Sequence, residues 1–415
     1  MEKYKLMWLC NVPTRIACEL YDLHFFPFGG WLNNYFEKII SDKQFDFIFI
    51  FQNDGTSEVK EITNDSGTFI MVSNKCSKKD FKILLNKHHP DLIHIWGTEY
   101  IKTYNLVMAS IECELIDKVI ISAQGLISAY YYHYMGSIPA YVQMIPSIRD
   151  LVKNDCLLKQ QRMFKKRGYY EIQSIKKVKH VIGRTFWDYS VMKLINPNVN
   201  YHYNGETLRR GFYENVWDKE KCIRHRLFVS QATYPIKGIH HVIESISLLS
   251  NKYSDITIAV AGANILDKKR YRLTSYEKYI YRLINKYNLK EKVFFLGVLN
   301  EEQMIKEYLK SEIFVSPSSI ENSSNSIGEA MMLGMPIISS NVGGNSDLII
   351  HNNEGFLYQY EAPYLLASYI DSFFMDESKE VKFSYNAREH AKKLYNVDKN
   401  YKDLLNIYKD VLSDD

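Results

Sequence analysis

IFVSPSSIENSSNSIGEAMMLGMPIISSNVGGNSDLII, residues 313–350, decides how this chain is read. A β-branched run at 313–316 gives way to a polar loop. A helix-compatible segment follows and closes at Leu333-Gly334, then come a second apolar run after Pro336, a Gly343-Gly344 loop and another helix start. Strand, loop, helix, strand and loop is the layout of a ligand crevice at the carboxyl ends of parallel strands. Two carboxylates stand in it eight residues apart, Glu321 in the loop and Glu329 on the helix. Ser323, Ser324, Asn325 and Ser326 are strong N-cap types, so the loop delivers backbone amides to the helix start, where phosphate or sugar oxygens can meet them. Ser326-x-x-Glu329 also has the spacing of a capping box, which leaves Glu329 two readings, ligand-binding acid or cap.

The order Glu321, seven residues, Glu329, Ala330, Leu333-Gly334, Pro336 and Val342-Gly343-Gly344 resembles the donor site of retaining GT-B glycosyltransferases, in family four (glycosyl transferases group 1), of the bacterial polysaccharide type. The resemblance implies an α/β chain with two Rossmann-like, doubly wound domains facing across a cleft. It implies a UDP- or GDP-sugar donor and a hydroxyl acceptor on a glycan or a lipid-linked molecule, in cell-surface polysaccharide synthesis. It assigns Glu321 to donor-sugar hydroxyls and Glu329 to the two ribose hydroxyls, a bidentate acceptor task suited to a carboxylate. By the same resemblance Val298 borders the base, and Gly343-Gly344 brings backbone close to the ligand.

Working outward, 227–230, 256–261 and 293–296 read as strands and 239–249, 276–287 and 301–309 as helices, so a second doubly wound sheet feeds the opening stretch. Lys237, in Tyr234-Pro235-Ile236-Lys237-Gly238, lies on the loop after the first of these strands. Breaking a sugar–phosphate bond leaves a nucleoside diphosphate whose growing charge must be stabilised. The chain has no Asp-x-Asp pair, so helix N-termini and basic side chains are the expected means, without metal or other cofactor. Lys237 suits a diphosphate as a point charge, and its Pro-x-Lys-Gly context resembles the family's phosphate-binding lysine. Many relatives carry an Arg five or six residues earlier, where this chain has Gln231 and Ala232; either another group such as Arg209 or Arg210 replaces it or the turnover differs.

The N-terminal half alternates strand-like runs at 5–10, 45–51, 68–72, 92–97, 119–123 and 180–183 with helical patterns at 31–40 and 77–88, the signature of a helix-covered parallel sheet. Gly29-Gly30 reads as a turn needing positive φ or as a close-approach loop at a helix start; the resemblance favours the loop, beside the donor phosphates. His94 reads as a core residue, and Glu99, past the strand's carboxyl end, as a cleft candidate. The Tyr-rich stretch 121–148 becomes an acceptor wall by resemblance, with His133 as the polar group near the reacting centre. Lys159, Arg162, Lys165, Lys166, Arg167, Lys176, Lys177 and Lys179 against Glu171 read as a solvated helix face or as a contact with anionic lipid headgroups. The expected domains are 1–205 for the acceptor, 206–380 for the nucleotide-sugar, and 381–415 as terminal helices packing back on the first.

Length and composition agree with this and exclude other classes. A chain of 415 residues with 46% hydrophobic and 24% charged residues fits two soluble domains. A net charge of +4 lacks the basic stripe of a nucleic-acid binder. Six scattered cysteines without CxxC suggest reduced thiols. The N-terminus lacks a signal-peptide pattern and no long apolar run occurs, so the expectation is a cytoplasmic protein with peripheral contact at the inner face of the plasma membrane. Two other readings stay open: a non-catalytic sugar-nucleotide-binding subunit of a polysaccharide assembly complex, and a GT-B sugar-nucleotide epimerase. An NAD-dependent oxidoreductase is disfavoured, because GxGxxG is absent.

Overall fold

The computed structural model describes residues 3–24, 27–53, 55–56, 58–232 and 234–413. They form two compact units, the first from Met1–Ala129, Phe164–Arg209 and Tyr395–Asp415, the second from Tyr130–Met163 and Arg210–Leu394. The sequence placed all of 1–205 in one domain, yet 130–163 groups with the second unit. Hydrogen bonds tie it there: His240 Nε2 to the Gly136 carbonyl at 2.8 Å, and the Ser275 amide to Asp150 Oδ2 at 2.8 Å. The two terminal helices also divide, Glu377–Leu394 with the second unit and Val397–Ser413 with the first.

The first unit is an eight-stranded sheet of β1 (Tyr4–Cys10), β2 (Phe45–Gln52), β3 (Lys60–Asn64), β4 (Gly67–Val72), β5 (Leu92–Trp96), β6 (Val119–Ser122), β7 (His180–Gly183) and β8 (Asn200–Tyr203). Its order is β3-β4-β2-β1-β5-β6-β7-β8, parallel except for the antiparallel edge strand β3. Strand periodicity sorts the core into two faces. Met7, Leu9, Ile48, Ile50, Ile93 and Ile95 line an aliphatic face, and Trp8, Phe47, Phe49, Phe51 and Trp96 an aromatic one. Leu404, Ile407, Tyr408 and Val411 of Val397–Ser413 cover the aromatic face. Tyr408 Oη accepts from Trp8 Nε1 at 2.9 Å and meets His94 Nδ1 at 2.6 Å, while His94 Nε2 lies 2.6 Å from Ser122 Oγ. His94 is therefore a core residue, and burial pushes its pKa down to about 3, so the ring is neutral.

The second unit is a six-stranded, all-parallel sheet of β9 (Ile223–Val229), β10 (Thr257–Val260), β11 (Val293–Phe295), β12 (Ser311–Ser316), β13 (Ile337–Ser340) and β14 (Phe356–Tyr358). Its order, β11-β10-β9-β12-β13-β14, reverses direction between β9 and β12. Helices Ile239–Leu249, Ser275–Lys286, Glu301–Lys310, Asn325–Leu333 and Pro363–Met375 connect the strands or flank them. Both units are doubly wound α/β sheets, as the sequence predicts. No helix among the described residues is long and apolar enough to cross a membrane, and all six cysteines are free thiols.

Candidate active site

In a doubly wound sheet the ligand crevice opens where strand order reverses, between loops that leave adjacent strands in opposite directions. In the second unit those loops follow β9 and β12, and they carry Lys237 and Glu321. Lys237 ends the 3-10 turn Pro235–Lys237, and Gly238 follows at φ 64°. A Cβ at Gly238 would overlap the Pro317 carbonyl, so only glycine lets the two loops close on each other. The Ser319 amide donates to the Ile236 carbonyl at 2.7 Å and fixes that approach.

The two side chains singled out in the sequence meet here. Lys237 Nζ donates to Glu321 Oε1 at 2.6 Å, and Ser318 Oγ donates to the same oxygen at 2.7 Å. Burial alone would lower the Lys237 pKa, but the Glu321 carboxylate outweighs it and holds the ammonium above its usual value. With Lys237 and Glu321 side chains only 19% and 11% exposed, the pair is a charged cradle largely withdrawn from water.

Behind the cradle, helix Asn325–Leu333 has Ser324 as its N-cap, and Ser324 makes no side-chain capping bond. Its hydroxyl instead meets that of Ser326 at 2.9 Å. The capping-box reading of Glu329 is thereby corrected: Ser326 lies inside the helix rather than at its cap, and Glu329 is more than a turn in. The Glu329 carboxylate is buried and Tyr308 Oη lies 3.4 Å from its Oε2, while Tyr308 also donates to the Ser326 carbonyl at 3.1 Å. Asn325 Oδ1 is buried without a protein hydrogen-bond donor.

Gly343 and Gly344, singled out for close ligand approach, also touch the backbone of the Glu321 loop. The Gly344 amide donates to the Glu321 carbonyl at 3.0 Å. Gly343 has φ 53°, and a Cβ there would collide with that same carbonyl. The glycine pair clamps the backbone of the Glu321 loop.

His133 belongs to the second unit and lies at the surface, where desolvation by the protein beside it lowers its pKa. Its carbonyl accepts from Ser319 Oγ at 2.9 Å, which brings the His133 turn against the loop that carries Glu321. The Asn322 amide donates to Tyr130 Oη at 2.7 Å, a second tie between the same segments. Sequence reasoning missed Tyr130, Ser318 and Ser319 as supports. Only the polar run 316–326 signals the serines, and nothing local signals Tyr130, whose partner is 192 residues away. Val298 lies past β11 and is 74% exposed, next to Gly297 at φ 78°.

The cation expected before Lys237 has no counterpart there: Gln231 is exposed, and Ala232 lines a pocket with Gly262, Ala263, Ile265, Tyr276 and Phe295. Arg210 pairs with Glu214 at 2.8 Å with its side chain 85% exposed. Arg209 falls in the first unit, where its side chain packs on Gly30 so closely that a Cβ at that glycine would lie 2.7 Å from Arg209 Cγ. Gly29 and Gly30, also in the first unit, sit inside the 3-10 turn Pro27–Leu32, one turn before helix Asn33–Ser41, and Gly30 is not in the positive-φ region. Gly30 also leaves room for the Arg209 chain. Glu99 lies just beyond β5, where burial raises its pKa, and Asn11 Nδ2 is 3.5 Å from Oε2.

Residues 219–390 match the family model described as "Glycosyl transferases group 1". The chain is 27% identical over 194 residues to an uncharacterized glycosyltransferase, MJ1607, of Methanocaldococcus jannaschii, covering 47% of this chain and 46% of that one. It is 22% identical over 182 residues to the capsular polysaccharide biosynthesis glycosyltransferase CapM of Staphylococcus aureus, covering 43% and 44%. The chain spans about half the length of the curated relatives it matches. In fold it is similar to Anabaena Alr3699/HepE, solved with UDP and glucose, at a TM-score of 0.68 and 15% identity over 98% of this chain and 100% of that one. The likeness shows the fold, that of GT-B glycosyltransferase structures. The matched residues 219–390 hold Lys237, Glu321 and Glu329, so it is this part of the chain that is similar to the glycosyl transferases group 1 family.

Proposed function

We propose that the protein is a retaining glycosyltransferase that moves a sugar from a UDP- or GDP-sugar to a hydroxyl of a glycan or lipid-linked acceptor in cell-surface polysaccharide synthesis. The observation that carries this reading is the Lys237–Glu321 pair at the strand-order reversal of a group 1 domain. It is supported by a relative named for capsular polysaccharide biosynthesis and by structural neighbours solved with UDP or UDP-glucose.

In this reading the donor diphosphate lies against Lys237 and the amide end of Asn325–Leu333, beside Ser324, Asn325 and Ser326. Lys237 and the helix dipole stabilise the charge that grows on the leaving phosphate without a metal ion. Both recorded donors to Glu321 land on Oε1, so its second oxygen has the acceptor capacity for a sugar hydroxyl. Glu329 takes the ribose hydroxyls, Val298 borders the base, and His133 faces the acceptor as a neutral imidazole. The acceptor oxygen bonds to the anomeric carbon on the face the phosphate leaves. The bond to phosphate breaks with its electron pair going to phosphate oxygen, and that oxygen takes the acceptor proton. Configuration is retained without a covalent sugar–protein intermediate.

Incubation with a panel of UDP- and GDP-sugars tests the reading. Release of UDP or GDP above the uncatalysed rate from at least one donor is expected. Binding of a donor without turnover would overturn it in favour of a non-catalytic sugar-nucleotide-binding subunit, and neither turnover nor binding across the panel would overturn both readings.

A further inference from the structure

Residues 140–153 of the second unit expose an unusual amount of aliphatic surface. Helix Ala140–Met144 and helix Ile148–Lys153 are joined by Ile145, Pro146 and Ser147. On this short stretch Met144, Ile145, Ile148, Leu151 and Val152 are each between 62% and 77% exposed, and Tyr141 is 47% exposed. Clusters of exposed apolar side chains on this scale mark an interaction site.

The charges beside the cluster identify the partner. Asp150 is buried, and its Oδ2 accepts from the Ser147 amide at 3.0 Å and the Ser275 amide at 2.8 Å. Asp155 is paired with Arg149. Arg149 faces both of these acids, Asp150 at 3.5 Å as well as Asp155, while Lys153, Lys159 and Arg162 add cationic charge beside the apolar side chains. Arg162 and Met163 share a helix face with Lys159, three and four residues on. Lysine is depleted in protein–protein interfaces and favoured where anionic headgroups are the partner.

The backbone also suits a lipid boundary, where unpaired amides are costly. Ser147 and Asp150 form a capping box, and Asn154, in the left-handed conformation, donates its amide to the last turn. The Asp150–Ser275 bond anchors the second helix to the start of helix Ser275–Lys286, so the side chains are presented from a fixed mount.

We propose that helices Ala140–Met144 and Ile148–Lys153 are a membrane-seating element, which lays Met144, Ile145, Ile148, Leu151 and Val152 into the headgroup–acyl boundary of an anionic bilayer. It moves the contact expected at the basic run 159–179 onto an apolar element that precedes it. The inference is independent of the transfer reaction, and its test reads binding alone.

Full-length protein is sedimented with vesicles of phosphatidylcholine alone and of mixed phosphatidylcholine and phosphatidylglycerol, at low and high salt. Binding to the mixed vesicles that weakens with salt is expected. The combined variant Ile145→Ser, Ile148→Ser, Leu151→Ser should lower the partition coefficient about tenfold or more. Lys153→Ser, Lys159→Ser, Arg162→Ser should lower it on mixed vesicles while leaving the thermal melt unchanged. If the apolar variant melts early, the charge variant decides alone. Three results would overturn the proposal: no sedimentation of the unaltered protein, equal sedimentation of the variants, or an unaltered dimer that the apolar variant converts to monomer without any vesicle binding.

Discussion

Glu321 and Glu171 are buried carboxylates that accept multiple hydrogen bonds, one in each unit. Glu321 receives an ammonium and a hydroxyl, from Lys237 and Ser318. Glu171 receives the Thr98 hydroxyl and the amides of Ile127 and Ser128 at 3.1 and 2.9 Å, with no cation among these donors. Burial, reinforced by the charge of Glu99, pushes the Glu171 pKa up to about 7 against the amide and hydroxyl donors that lower it. The difference is one of use. A carboxylate facing a cation makes an electrostatic site, whereas one facing amides makes a backbone clamp that tolerates a proton.

The sharpest way to break this comparison is Lys237→Ala. Transfer should fall about a thousandfold, because a preorganised charge facing the leaving phosphate is lost, and the rate of nucleoside diphosphate release reads it. An unchanged rate would take Lys237 out of the reaction and make the two carboxylates equivalent structural groups.

The next largest effect is in the first unit. A carboxylate whose folded pKa is about 7 against an ordinary 4.5 holds its proton more tightly folded than unfolded. Its contribution is complete below about pH 4.5 and is lost as pH rises to about 7, a swing of about 3 kcal/mol. Denaturant melts of Glu171→Gln should lack that decline. Glu380, pushed up to about 7 chiefly by burial, declines with the same sign in both proteins, so the difference between their curves isolates Glu171. Parallel curves would refute the assignment.

Gly343→Ala probes how the Glu321 loop is held. At φ 53°, and with the Glu321 carbonyl where a Cβ would go, alanine should destabilise the protein by about 2 kcal/mol and weaken donor binding as well. A thermal melt and a donor titration report the two effects, and an unshifted melt would show that the clamp gives way without cost. Smallest is Glu329→Gln, expected to weaken nucleoside diphosphate affinity about tenfold if ribose hydroxyls are its partners. Equal affinity measured by calorimetry would leave Glu329 a structural acid buried beside Tyr308.

Much of the fold was legible because it rests on local signals. Ser77, with Asp80 three residues on, caps helix Lys78–His88, where the sequence put a helix start. Helix Ile239–Leu249 falls on its predicted span. Misses occur where the backbone is decided elsewhere. Strand β3 (Lys60–Asn64) is a polar edge strand without alternation, and β14 (Phe356–Tyr358) has only three residues. Strand β9 starts four residues before the predicted strand, because Arg226 and His225 are held by Glu307 and Asp255 and so tolerate a strand that composition argues against. Spacing and resemblance singled out Lys237, Glu321 and Glu329, and the structure pairs the first two. The Glu321–Gly343 clamp and the Tyr130–Asn322 tie were not, because each joins segments distant in the chain.

Helix Val397–Ser413 supplies Tyr408 to the ring cluster around Trp8, yet it is translated after every residue of the second unit. A growing chain therefore acquires all the parts of its second unit while the aromatic face of its first sheet still lacks part of its cover. The usual N-to-C order of domain completion on the ribosome is reversed. Until residues 397–413 emerge, Trp8, Phe45 and His94 lack their Tyr408 contacts and are the part of that face a chaperone would meet.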